Sequence, residues 1–191
     1  MGKESNDVMP TEDAIIAATV QWLERAVIGL TLCPFAKAVH VKKQIRYSVS
    51  YASTPEALQD DLRRELLLLS ETLPDSIDTT LLIHPNVLTD FYAYNDFLSV
   101  VDKTLEEMDL VDDFQVACLH PHYQFAGTKP DDIENFTNRS PYPVLHLLRE
   151  ASVTKAVAAF PEADTIFEKN ITTLRELGYD GWAALGLEKN Q

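Results

Sequence analysis

A chain of 191 residues, 46% hydrophobic and 24% charged, holds enough apolar material for a core, which excludes wholesale disorder and any need for a disulfide or metal staple. Thirty acidic against sixteen basic residues leave a net charge of −14, which repels phosphate backbones and anionic lipid, so neither nucleic acid nor membrane is an expected partner. The start MGKESND has no signal-peptide core and no stretch approaches the about eighteen apolar residues of a membrane span, so a cytoplasmic location is expected, with Cys33 and Cys118 as free thiols.

The expected organisation is a tail over 1–10, one α/β domain over 11–186 and a short tail over 187–191. A first helix starts at Thr11 as N-cap, with Glu12 and Asp13 in its first turn and a stripe of Ile15, Ile16, Thr19, Trp22, Leu23, Val27 and Leu30, and it stops at Gly29 and Pro34. Next, Ile45, Tyr47, Val49 and Tyr51 alternate with polar residues, the pattern of an edge strand with one wet face. Thr54-Pro55-Glu56 opens a second helix with Leu58, Leu62, Leu66 and Leu69 in its stripe, ending before Pro74. A second strand covers Thr79 to His84. A third helix runs from Thr89-Asp90 to Met108, and a third strand from Phe114 to His120.

Strand, helix, strand, helix, strand in that order predicts parallel strands with right-handed crossovers. The expected fold is therefore a small parallel sheet of about three strands, with a fourth from the 121–141 loop as a variant and helices on both faces. Helical patterns return at 142–150, 152–160 and 161–177, with Gly178 as a C′ residue and a last turn around Trp182, giving a helical C-terminal segment.

The second and third strands end alike, in Ile83-His84-Pro85 and Leu119-His120-Pro121. Parallel strands put both ends on the edge where open α/β sheets bind ligands. Both strands are almost wholly apolar, which argues that they are neighbours, about 4.8 Å apart. His84 and His120 are thereby candidates for a proton-transfer pair or for two nitrogen ligands of a metal. The plainer alternative is that proline ends each strand and histidine caps a loop carbonyl. His120-Pro121-His122 is also a recurrent metal-ligand spacing, with His122 equally at home as a solvated loop residue.

Residues 121–141 lack a clear period and are longer than ordinary connections, as functional loops are. Tyr123, Phe125 and Phe136 predict that this loop is packed. Tyr123 and Gln124 at its start, with Asn138 and Ser140 at its end, are candidate ligand-binding residues; Arg139 is a candidate anion anchor, or a loop arginine tied to Asp131, Asp132 or Glu134. Cys33 is a candidate nucleophile or ligand contact, or a small core residue. His146 and Arg149 fall in the expected helix at 142–150, where His146 reads as a buried, hydrogen-bonded residue. The chain contains no Gly-x-Gly-x-x-Gly, Gly-x-x-x-x-Gly-Lys-Ser/Thr, Gly-x-Ser-x-Gly or His-Glu-x-x-His, which counts against common nucleotide, esterase and zinc-protease chemistries.

Four ordered motifs, Leu32-Cys33-Pro34-Phe35-Ala36, Tyr94-Asn95-Asp96-Phe97, His120-Pro121 with Tyr123-Gln124-Phe125-Ala126-Gly127, and Thr137-Asn138-Arg139-Ser140-Pro141-Tyr142-Pro143, give the chain a family likeness. It resembles, over about residues 20–186, the bacterial family known as domain of unknown function 1415. The resemblance implies a stand-alone bacterial cytosolic protein and assigns no catalytic residue; the family's loop motif, His-Pro-x-Tyr-Gln-Phe, leaves the position of His122 unspecified, which weakens the His-x-His metal idea. No pattern names a cofactor, a metal or an oligomeric state. The leading expectation is a small-molecule enzyme or ligand-binding protein with His84 and His120 as acid/base groups and Arg139 on the ligand. Its competitor is a non-catalytic interaction or structural domain that uses the aromatic 121–141 loop.

Overall fold

The structure, a computed structural model, describes residues 10–160 and 162–187; the expected tails fall almost wholly outside this range. Helix α1, Glu12–Trp22, starts where Thr11 caps the Ala14 N–H at 3.3 Å, and continues as a π-helical turn, Leu23–Ile28. After the short α2, Ala36–Val41, come β1, Ile45–Val49, and α3, Pro55–Glu71, capped by Thr54. Strand β2, Thr79–Ile83, leads to α4, Phe91–Glu107, capped by Asp90, and then to β3, Phe114–Leu119. A 3-10 turn, Ile133–Asn138, lies in the long loop before β4, Val144–Arg149; α5, Glu150–Ala159, and α6, Ile166–Ala184, complete the described chain.

The sheet has the order β1-β2-β4-β3. β1 and β2 pair in parallel, whereas β4 runs antiparallel to both β2 and β3. This corrects four expectations, two of which are the helix at 142–150 and the fourth strand from the 121–141 loop, since the fourth strand is Val144–Arg149. The sheet is mixed and four-stranded rather than a small parallel one, and β2 and β3 are not neighbours, because β4 lies between them. The segment 142–150, read above as helical, supplies that strand. Six residues of mostly apolar side chains suit a buried strand and a short helix equally well, and only the vacant place between two strands decides. Arg149, at the end of β4, earns its position by donating to the carbonyls of Leu69, Thr72 and Ile77, where α3 ends and its last carbonyls need donors.

Helices do cover both faces. Leu58, Leu62, Leu66 and Leu69 of α3 and Tyr94, Phe97, Val101 and Leu105 of α4 pack with Leu82, Leu145 and Leu147 on one face. Ile15 of α1 meets Leu81, Ile83 and Val144 on the other. β1 is an edge strand as expected, but its polar face is not simply wet: Arg46 forks onto Glu65 of α3 at 2.7 and 3.0 Å, and Ser48 donates to the same carboxylate. Gly178 takes the predicted positive φ of 65°, yet the chain resumes its helix beyond it rather than stopping. Among the described residues, no helix is long and apolar enough to cross a membrane.

Candidate functional site

The two His-Pro ends do share one edge of the sheet, and the insertion of β4 creates what lies between them. Tyr94 of α4 is fully buried. Its hydroxyl accepts from the Leu119 N–H at 3.2 Å and donates to the Val144 carbonyl at 2.7 Å, two residues that face one another across β3 and β4. A phenol oxygen thus stands between backbone groups of paired strands where β3 ends and β4 begins. A buried tyrosine needs a partner for its hydroxyl, and here it finds two.

The Tyr94 ring also links the two histidines. His84 stacks on it with centroids 5.8 Å apart, and His120 lies 5.1 Å from it. His122 continues the row, 5.9 Å from His120, and is exposed on the loop. An imidazole, a phenol and two further imidazoles therefore lead from the interior to the surface. Desolvation pushes both His84 and His120 down to about 4, so both are neutral at physiological pH.

Neutral imidazole has one donor and one acceptor, and the two residues use them differently. His120 donates through Nε2 to the Leu88 carbonyl at 3.1 Å, while its Nδ1 accepts the His122 N–H at 3.0 Å. His84 donates through Nδ1 to the Val87 carbonyl at 2.9 Å, and its Nε2 is buried without a partner. The segment between β2 and α4 supplies both carbonyls, at a cost: Leu88 has a φ of 55°, which is uncommon for a residue with a branched side chain and is the kind of strain found at functional sites.

Where that segment meets the long loop there is a cleft of about 460 Å³, lined by Thr89, Asp90, Phe91, Tyr92, His122, Gln124 and Pro130. A larger hollow of about 630 Å³ lies between Thr31 and the start of α6, around Thr165, Lys169 and Asn170, but no histidine lines it. The smaller cleft is the one that adjoins the imidazole row.

Of the residues singled out in the sequence, Gln124 lines this cleft directly, and Tyr123 packs behind it, 5.4 Å from Phe91. Asn138 donates to the Cys118 carbonyl at 3.3 Å, and Ser140 donates to the Tyr142 carbonyl at 2.6 Å; both tie the loop to its own root. Arg139 is a strut. It donates to the carbonyls of Tyr123 at 3.2 Å and Pro130 at 2.5 Å and lies over the Phe136 ring, rather than pairing with Asp131, Asp132 or Glu134. Cys33 is not among the cleft residues: it packs with Trp22, Leu23 and Val27 on the α1 face, and burial raises its thiol pKa. Cys118 sits in the α3–α4 core.

The aromatic loop is packed, as expected, and by its own chain. Phe125 meets Phe167 at 5.4 Å, Phe136 meets Trp182 at 4.9 Å, and the Tyr179 hydroxyl donates to the Asp131 carbonyl. Helix α6 thereby packs on Phe125 and Phe136 of the loop, while its own Phe167 and Tyr179 stay about half exposed.

His146 projects from β4 on the α1 face. Its Nε2 meets the Thr79 hydroxyl at 2.8 Å, which in turn donates to the Leu147 carbonyl, and burial pushes it down to about 4. The expectation of a hydrogen-bonded histidine holds, on a strand rather than a helix. Among the described residues, no three His, Cys, Asp or Glu side chains gather to hold a metal ion. His120 and His122 do not form a chelating pair, since both ring nitrogens of His120 are engaged. Sequence reasoning did not single out Tyr94 or Asp90 as site residues: the first stood only within the Tyr94-Asn95-Asp96-Phe97 motif, the second only at the start of the third helix.

Fold and site together define an α/β protein with a four-stranded mixed sheet whose strand ends carry a buried histidine–tyrosine–histidine row beside an open cleft. The chain belongs to the DUF1415 family of proteins of unknown function, whose match covers residues 14–184. No curated protein and no solved structure matches it.

Proposed function

We propose that the chain binds and chemically handles a small polar molecule in the cleft between the start of α4 and the 121–141 loop. His122 is the imidazole that meets the ligand, and His84 and His120 are the neutral groups that back it. One observation carries the reading: an unpartnered, fully buried Nε2 on His84 at the inner end of the ring row. Among the described residues Gln21 Oε1, Trp22 Nε1, the Tyr47 hydroxyl and Thr80 Oγ1 are also buried without a partner, and of these five atoms only His84 Nε2 belongs to the ring row. Leaving a buried polar group unsatisfied costs about 1–3 kcal/mol, and an apolar side chain of similar size would avoid the cost. Strain at Leu88 in the same segment supports the same view. The competing interaction role draws less support, because α6 already packs on Phe125 and Phe136 of the loop.

The test is a saturation-transfer NMR screen of the full chain against mixtures of amino acids, sugars, nucleotides and organic acids. At least one compound is expected to bind and to lose its signal in both His122→Ala and Gln124→Ala, with the fold retained. If no compound binds, or if every bound compound is indifferent to both changes, the cleft is not a ligand site.

A further inference from the structure

The chemistry of the cleft specifies its ligand more narrowly. We infer that it takes the primary ammonium head of a small organic amine, a conclusion that rests on the cleft being a ligand site. The one formal charge lining it is the Asp90 carboxylate. Oδ1 of that carboxylate accepts from the Ala93 N–H at 2.9 Å, and the second oxygen is left for another partner. Gln124 gives one amide N–H to the Thr128 carbonyl at 2.5 Å, which fixes the amide and leaves its carbonyl oxygen as an acceptor. The Thr89 hydroxyl and the His122 ring add further acceptor capacity on the same wall.

A site rich in acceptors calls for a ligand rich in donors, and an alkylammonium group carries three and no acceptor. The remaining wall suits the rest of such a molecule. Tyr92 is 70% exposed although it is large and aromatic, and the Phe91 ring lies 6.1 Å from its ring. Exposed aromatic faces next to a carboxylate attract cations through the ring quadrupole and bury the carbon chain at the same time.

An anion fits worse. It would meet the Asp90 carboxylate, and that carboxylate already serves as cap at the helix N-terminus that would otherwise have welcomed a negative charge. The cations nearby do not reverse this. Arg139 spends its donors on the carbonyls of Tyr123 and Pro130 and its face on Phe136, inside the loop. Lys129, exposed beside Pro130, is the group that would recruit an anion if the inference were wrong.

Three probes of one shape separate these outcomes: n-butylammonium, n-butanol and n-butyrate, titrated at fixed ionic strength into the ¹⁵N-labelled full chain. Butylammonium is expected to shift the amides of Asp90, Phe91, Tyr92, His122 and Gln124 saturably. Butanol should bind about ten-fold more weakly, and butyrate should leave these amides in place. Asp90→Asn keeps a good helix cap and removes the charge, so it should weaken butylammonium by about five-fold or more while butanol is unaffected. Tyr92→Ala, at an exposed position, should weaken both. Butanol or butyrate binding the cleft as well as butylammonium would overturn the ammonium assignment and leave the cleft standing as a ligand site. Shifts confined to other surfaces, or none with any probe, would also overturn it, and the metabolite screen above then decides separately whether the cleft binds anything.

Discussion

The ends of β2 and β3 are spelled alike, His-Pro in both, and reach the same edge of the sheet, yet they are satisfied differently. At the β3 end, His120 has a donor and an acceptor for its two nitrogens and holds the root of the long loop through the His122 N–H. At the β2 end, His84 holds the Val87 carbonyl and keeps an unpartnered nitrogen. The first is satisfied as a structural cap is; the second keeps one ring nitrogen without a partner, the observation on which the proposed ligand site rests. A repeated dipeptide therefore reports a shared location, and only the hydrogen-bond inventory separates the roles.

The largest expected effect concerns all the buried imidazoles at once. His84, His120 and His146 are held neutral at about 4 when folded, against an unfolded value near 6.5. Below that value the unfolded chain takes up protons that the folded chain refuses, so stability should fall as pH drops from about 6.5 towards 4. The loss is of the order of 3 kcal/mol for fully buried His84 alone. Urea melts across this window should show it. His84→Asn, whose amide can still donate to Val87, should flatten the dependence by about one proton; an unchanged slope would mean that His84 is not the neutral, enclosed group described above.

Next in size is the contrast between the two ends. His120→Leu strands the Leu88 carbonyl and the His122 N–H and should cost about 3 kcal/mol. His84→Leu strands one carbonyl but removes an unsatisfied nitrogen, so its net cost should be about 1 kcal/mol or less. Equal losses in chemical denaturation would erase the distinction between cap and reserve. Tyr94→Phe should cost about 2 kcal/mol, because the Leu119 N–H and Val144 carbonyl lose the hydroxyl between them; amide exchange at Leu119 should quicken with it. The smallest effect on global stability is expected from Arg139→Lys, about 0.5 kcal/mol, since an ammonium cannot fork to Tyr123 and Pro130 while covering Phe136 but the loss stays within the loop. Faster proteolysis within 121–141, with the global melt nearly unmoved, is the signature to look for.

Part of the site was visible in the chain alone because its signals are local. Proline at both strand ends, an aperiodic aromatic loop and Gln124 within it all pointed to the edge where the cleft lies. Arg139 was the misleading member. A guanidinium in a loop rich in acids suggests ion pairs or anions, but bare carbonyls of a tight loop compete for the same donors, and in the folded chain they hold it.

What the sequence determined by itself was each element whose cause lies within a few residues. Thr11, Thr54-Pro55 and Asp90 start helices because their side chains or ring satisfy the first turn, and the alternation of Ile45, Tyr47 and Val49 marks an edge strand. Tertiary structure decided the rest. Val144–Arg149 became a strand because β2 on one side and β3 each had an open edge to pair, and its insertion moved the two histidines apart and made room for Tyr94 between them. Strand pairing and the satisfaction of buried polar atoms depend on partners tens of residues distant, so the row of rings at this edge exists only once the chain is folded.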